Sequence, residues 1–145
     1  VPLIISFYRG AWCPYCNLQL RGLQRSMPAF ERLGAQLIAV TPQQPDRSLA
    51  QVEADGYRFE ILSDLDSNVM RAYRLYFDVP PELSQLYHKR LGLDLAEYNG
   101  PGRYLLPVPG TYVLDSQGRV RAAFADTDYT RRMEPCLILE ALRQL

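Results

Sequence analysis

The sequence is poor in the residues that mark out whole classes of protein. Among 145 residues there are three cysteines, one histidine and one tryptophan, and Lys89 is the only lysine. Three cysteines are too few, and an odd number, for the disulfide framework of a small secreted scaffold. A zinc site built on two of them would have to recruit Cys136 and His88, which stand at no familiar ligand spacing. Net charge is missing as well, since 16 basic side chains balance 16 acidic ones. The arginines are scattered, without the clustered basic excess of a nucleic-acid binder, so no nucleic-acid partner is expected. No apolar run approaches the ~20 residues that cross a bilayer as a helix, so no membrane partner is expected either. The expected location is cytoplasmic.

What remains is ordinary globular composition, 48% hydrophobic and 22% charged. The length suits one domain, which can bury about two-thirds of its unfolded surface, so residues 1–145 are expected to form a single domain. Leu3 to Tyr8 is a nearly continuous apolar run with the β-branched and aromatic content of a strand buried on both faces. A helix follows, with Pro14 near its first position, where a missing N–H does no harm. Leu20, Leu23 and Met27 share one face of it; Pro28 is expected to bend or restart the helix and Gly34 to stop it. Gln36 to Val40 reads as a second strand, followed by a helix capped by Asp46 and ended by Gly56. Phe59 to Leu62 is a third strand, and two helices begin near Ser67 and Pro81. Residues 92–110 are rich in Gly and Pro and read as a long loop. Thr111 to Leu114 and Val120 to Phe124 flank the turn Asp115-Ser116-Gln117-Gly118 as a hairpin, and a last helix covers Glu134 to Leu145. This order predicts an α/β domain with parallel crossovers first and an antiparallel hairpin at the end.

One segment carries chemistry. Trp12-Cys13-Pro14-Tyr15-Cys16 follows the first strand and opens the first helix. Two thiols separated by two residues at such a turn can approach closely enough to form a disulfide. The helix N-terminus points unsatisfied N–H groups and the positive end of its dipole at them, which favours a thiolate. Arg9, just upstream, adds positive charge. Trp12 and Tyr15 are placed to line the mouth of the site. Other reactive residues read as structural. His88 suits a surface position on its helix, and Cys136, in Glu-Pro-Cys-Leu-Ile-Leu, suits a buried, inert thiol. Asp126, Asp128, Arg131, Arg132 and Glu134 suit caps and solvated pairs beside a helix start.

Phe7-Tyr-Arg-Gly-Ala-Trp-Cys-Pro-Tyr-Cys16 resembles the active-site region of the thioredoxin superfamily. More narrowly, it is similar to the peroxiredoxin-like branch, the alkyl hydroperoxide reductase/thiol-specific antioxidant family. Gln36-Leu-Ile-Ala-Val-Thr41, Phe59-Glu-Ile-Leu-Ser-Asp64 and Gly110-Thr-Tyr-Val-Leu-Asp115 with Gly118 are similar to successive strands of that family. The resemblance implies a thioredoxin-like fold, a central mixed β-sheet flanked by helices. The family's usual N-terminal β segment is expected to be absent from residues 1–145.

The departures bear on the site. The family pattern around its peroxide-reactive thiol is Pro-x-x-x-Thr-x-x-Cys. In that register Cys16 takes the reactive position, Cys13 replaces Thr and Arg9 replaces Pro. The arginine that usually precedes Gly-Thr-Phe is replaced by Pro109, which leaves Arg9 or Arg103 to supply its charge. The pair Val108-Pro109 resembles the Val-cis-Pro of thioredoxin and glutaredoxin, and so is expected to be cis and opposite the cysteines.

The resemblance implies reduction of hydrogen peroxide or an organic hydroperoxide through a Cys13/Cys16 redox pair. An external dithiol reductant of thioredoxin or glutathione type would reset it, with no metal or organic cofactor. By resemblance Cys16 attacks; by helix-terminus position alone Cys13 would, and both assignments stay open. Two alternatives stand beside this reading: a disulfide reductase with Val108 and Pro109 aligning its substrate, and a non-catalytic redox-sensing domain. A homodimer is among the assemblies left open.

Overall fold

In the computed structural model, which describes residues 1–145, the first apolar run is strand β1 (Leu3–Phe7). Strand β2 (Gln36–Thr41) runs parallel to it on one side and β6 (Gly110–Leu114) antiparallel on the other, so Ile5 pairs with both Ile38 and Tyr112. Strand β3 (Glu60–Ser63) extends the sheet in parallel beyond β2, and β7 (Val120–Ala125) extends it antiparallel beyond β6. The result is a mixed five-stranded sheet in the order β3-β2-β1-β6-β7, with β1 at its centre. A central strand covered on both faces has no solvent side, which is why its sequence does not alternate.

Side chains of β1 point to opposite faces in turn. Ile4 joins a core formed with helix α1 (Pro14–Arg32) and helix α6 (Pro135–Arg143), where Leu20, Leu23, Phe30, Ile138 and Leu142 are buried. Ile5 and Phe7 join a second core on the other face with Met70, Leu75 and Leu105. Helix α2 (Pro45–Asp55) connects β2 to β3. The crossovers come first and the antiparallel pair last, as the order of elements implied. No helix is long and apolar enough to cross a membrane.

Several local expectations change. Helix α1 runs unbroken through Pro28, which is exposed. An interior proline costs ~3 kcal/mol, but burial of Leu20, Leu23, Met27 and Phe30 on the same helix outweighs that, at roughly 1.5–3 kcal/mol per large side chain. Asp46 is not the cap of α2. Gln44 takes that place, Pro45 begins the helix, and Asp46 sits in the first turn, where a carboxylate suits the dipole. At helix α3 (Asn68–Ala72) the Ser67 side chain makes no capping bond. The Asp64 carboxylate instead accepts from the N–H groups of Val69 and Met70, at 3.3 and 2.8 Å.

Helix α4 (Pro81–Leu91) begins where expected. The segment 92–110 is not a plain loop. It contains helix α5 (Leu95–Asn99), capped by Asp94, and strand β5 (Leu105–Pro107). That strand pairs antiparallel with β4 (Tyr76–Asp78) as a separate two-stranded sheet. Elements of three and five residues are too short to show a period, and here tertiary pairing makes them.

Candidate active site

The chain leaves β1 at Phe7 and stays buried through Gly10. Gly10 is required by close approach: a Cβ there would lie 2.5 Å from the Trp12 indole nitrogen. Cys13 is the N-cap of α1 in extended conformation, and Pro14 opens the helix. Cys16 follows three residues on, so both sulfurs lie on one face of the first turn. Both thiols are free and buried, Cys13 at 1% exposure and Cys16 at 0%.

The two thiols are not equivalent. Burial by itself pushes the Cys16 thiol up, but several donors overcome it. The Cys13 thiol donates to it, the Arg132 guanidinium adds both charge and a hydrogen bond, and the Arg9 backbone N–H contributes. Arg132 Nη2 lies 3.3 Å and Arg9 N 3.4 Å from the Cys16 sulfur. Together they lower the Cys16 pKa to about 6. Cys13 shifts the other way, because its S–H is held by the Cys16 sulfur and because it is buried. The shifts are opposite in sign: the groups around Cys16 favour its thiolate, and those around Cys13 favour its thiol.

Arg132 was legible only as part of a solvated charge cluster, and the structure corrects that reading. Its neighbours do behave as expected, with Arg131 paired to Asp126 at 3.3 Å and Asp128 turned onto Thr130. Arg132 instead folds back over α1. Nε donates to Tyr129 O at 2.6 Å, Nη1 to Gln19 Oε1 at 3.0 Å, and Nη2 to Cys16. The arginine that reaches Cys16 thus comes from beyond β7, and is neither Arg9 nor Arg103.

A polar network fixes the turn that carries the thiols. The fully buried Gln43 accepts from Ala11 N at 3.1 Å and donates to Tyr8 Oη at 3.0 Å. Tyr8 Oη donates to Gln51 Oε1 at 2.7 Å, and Gln51 Nε2 donates to Asn17 Oδ1 at 2.9 Å. Asn17 Nδ2 closes the ring on Ala11 O at 2.7 Å. Burial, and then the charge of Cys16, raise the Tyr8 pKa, so its hydroxyl stays protonated and can donate. Of these residues only Tyr8 and Ala11 lie in the recognised motif, and a lone Gln carries no sequence signal of such a role.

The Arg9 guanidinium does not reach Cys16; it lies against Trp12 and Tyr129 and donates to Tyr87 Oη. Arg103 clamps the carbonyls of Pro42, Asn99 and Asp64 and makes no contact with either sulfur. Trp12, Pro14 and Tyr15 line a cavity of about 480 Å³ beside Cys13. Val108 and Pro109 line a different cavity of about 460 Å³, which shares Arg9, Tyr87 and Tyr129 with the first. The expected cis bond is absent, since every peptide bond is trans. Val108 N–H is engaged by Leu75 O at 2.7 Å, and Pro109 runs straight into β6, where Gly110 pairs with Phe7. His88 is exposed, as anticipated.

Cys136 is a further correction: it is exposed rather than buried. At ~100° per residue, a position two before the buried Ile138 falls on the far side of the helix. An exposed thiol with no thiol neighbour should be the fastest of the three to react with a bulky maleimide at neutral pH. Cys136→Ala should leave redox turnover within ~3-fold of wild type, the range of an ordinary surface change. Loss of turnover, or a trapped disulfide from Cys136 to Cys13 or Cys16, would contradict this.

A mixed sheet with parallel β1 and β2, and two thiols at the start of the helix between them, defines a thioredoxin-fold dithiol protein. The AhpC/TSA family model matches residues 1–123. The chain belongs to the AhpC/TSA family. It is 25% identical over 122 residues to the provisionally named peroxiredoxin Rv2521 of Mycobacterium tuberculosis, covering 83% of this chain and 66% of that protein. It is 24% identical over 74 residues to peroxiredoxin Bcp of Escherichia coli K12, covering 51% of this chain and 47% of that one. Among solved structures, it superposes on the Xanthomonas campestris bacterioferritin comigratory protein with a TM-score of 0.71. Sequence identity there is 19%, covering 99% of this chain and 78% of that one. That likeness shows the fold. The chain spans just under two thirds of the mycobacterial relative, 66% of its length, and about half, 47%, of the Escherichia coli one.

Proposed function

We propose that the protein is a thiol peroxidase that reduces hydrogen peroxide or an organic hydroperoxide, with Cys16 as the attacking thiolate and Cys13 as the resolving thiol. The observation that carries this is the convergence of donors on the Cys16 sulfur: the Cys13 thiol, Arg132 Nη2 at 3.3 Å and the Arg9 N–H at 3.4 Å, which lower its pKa to about 6. The family register, in which Cys16 occupies the reactive position, supports the same assignment. So does the alkyl peroxide reduction activity named for the Xanthomonas campestris protein.

Cys16 attacks the nearer peroxide oxygen. An S–O bond forms as the O–O bond breaks, and the departing hydroxide or alkoxide leaves as water or alcohol after taking a proton. Arg132 sits where it can stabilise the charge that moves from sulfur to the departing oxygen. The Cys16 sulfenic acid is then attacked by Cys13. The S–S bond forms, and the sulfenic oxygen leaves as water with the Cys13 proton. An external thiol reductant returns both thiols to the reduced state by exchange.

The test is a stopped-flow titration of reduced wild type with one equivalent of hydrogen peroxide. Two thiols should disappear per peroxide. The rate should rise with pH through about 6 and level off above it, because the ionised form of Cys16 is the reactive one. Absence of peroxide consumption, or a midpoint near the ordinary thiol value of ~8.5, would reject the assignment.

A further inference from the structure

Arg9 stands where the family pattern has proline, and its side chain turns away from Cys16 into the protein, at 7% exposure. The guanidinium lies 4.9 Å from the Trp12 ring centroid and 4.7 Å from that of Tyr129. Its single hydrogen bond runs from Nη2 to Tyr87 Oη at 2.6 Å. No carboxylate pairs with it; the ion pairs of the structure join Arg58 to Glu31, Arg121 to Asp115 and Arg131 to Asp126. A guanidinium carries five N–H donors, and here most are unused. Aromatic faces hold a cation in place without consuming its in-plane donors. Burying a charge with no counterion is expensive, so an arrangement of this kind suits a site that an anion enters.

The position of that site is informative. Arg9 borders the 480 Å³ cavity that Cys13 also lines, and Cys16 lines neither this cavity nor its neighbour. The rest of the lining is mostly apolar and aromatic. Glu97 is its one carboxylate, exposed at the rim and unpaired with Arg9. The Trp12 indole N–H, in the same wall, is buried without an acceptor. A molecule in this cavity meets Cys13 and not the sulfur that reacts with peroxide.

We propose that the Arg9 cavity binds the carboxylate of a small thiol and presents its sulfur to Cys13, so that the oxidised protein is reset by a carboxylate-bearing low-molecular-weight thiol. This rests on the Cys13–Cys16 disulfide of the cycle proposed above. The thiolate attacks Cys13 Sγ, a mixed disulfide forms there, and the Cys13–Cys16 bond breaks with its electron pair going to Cys16. Exchange is fastest when the departing thiol is the more acidic, and the donors around Cys16 make it so. A second thiol attacks its own kind in the mixed disulfide. The small-molecule disulfide leaves, and Cys13 takes up a proton. Two thiols are oxidised and one protein disulfide is reduced.

The experiment starts from protein oxidised by one equivalent of diamide, so that no peroxide chemistry is involved. Reduction of the disulfide is followed by mass and by intrinsic fluorescence with 3-mercaptopropionate, 2-mercaptoethanol and cysteamine as the thiols. The quantity read is the ratio of the mercaptopropionate rate to the mercaptoethanol rate, compared between variants so that intrinsic thiol reactivity cancels. Arg9→Met should lower that ratio by about tenfold or more, the scale of one charged hydrogen bond. Arg9→Lys should restore part of it. Propionate at constant ionic strength should slow the mercaptopropionate reaction of wild type, a measurement that needs no variant. An unchanged ratio in a folded Arg9→Met, or no inhibition by propionate, overturns the proposal. If Arg9→Met instead discriminates only between carboxylate-bearing and neutral hydroperoxides, the anion belongs to the oxidising substrate and the proposal also fails. Disulfide formation with diamide but not with peroxide would remove the peroxidase reading and leave the thiol ratio to decide this one. No disulfide with either oxidant would remove both.

Discussion

Arg132→Met is expected to raise the Cys16 pKa from about 6 toward the ordinary ~8.5 and to slow the peroxide step at every pH. The guanidinium acts twice on the same sulfur, through its charge and through the 3.3 Å bond from Nη2. Less thiolate at neutral pH would by itself cost ~30-fold at pH 7 if the pKa moved that far. A more basic thiolate is also a better nucleophile, with a Brønsted slope of ~0.4–0.5, which returns roughly tenfold of that loss. The decisive effect is therefore the one that remains above the new pKa, where ionisation no longer matters. Removing a preorganised donor that stabilises the departing charge costs ~10²–10³ in rate. The measurement is the pH profile of the second-order peroxide rate constant for both proteins. A profile that shifts upward in pH but reaches the wild-type plateau would assign Arg132 to ionisation alone. An unshifted profile would deny it any role.

Substitution of the two motif cysteines should separate the chemical steps. Cys16→Ser removes the nucleophile, since a serine hydroxyl does not ionise near neutral pH, and peroxide reactivity should fall at least ~10⁴-fold. Cys13→Ser keeps a hydroxyl donor beside Cys16, so the thiolate should survive and the first oxidation should stay within ~10-fold of wild type. With no partner thiol, one added oxygen should persist on Cys16, visible by intact mass, and excess peroxide should carry it to the sulfinic acid. Turnover with a dithiol should then lose its Cys13–Cys16 disulfide intermediate. If Cys13→Ser abolishes the first step while Cys16→Ser retains it, the roles are reversed, as the helix-terminus position alone suggested.

The order of elements and the place of the thiols follow from the sequence because both depend on local signals. The Leu3-to-Tyr8 run is apolar without alternation, which only a doubly covered strand needs. Pro14 between two cysteines after that strand places the thiols at the opening of a helix whatever the rest of the chain does. The hairpin at Asp115 likewise rests on near neighbours, with its carboxylate accepting from Gln117 and Arg119. Short-range rules of this kind need no knowledge of distant packing.

What the site does with its thiols depended on groups remote in the chain. Arg131 and Arg132 are the same residue type side by side, yet one pairs with Asp126 in solvent and the other bonds a sulfur 116 residues away. Arg9 adjoins the motif, but its direction was set by rings from Tyr87 and Tyr129, which no spacing rule connects to it. Cys136 has apolar neighbours in sequence but lies on the outer face, because packing on α1 selects Ile138 and Leu142. Helix position by itself favoured Cys13 as the ionised thiol. The three-dimensional arrangement of donors favours Cys16, because ionisation of a buried sulfur is decided by the charges and N–H groups that converge on it, and those arrive only with the fold.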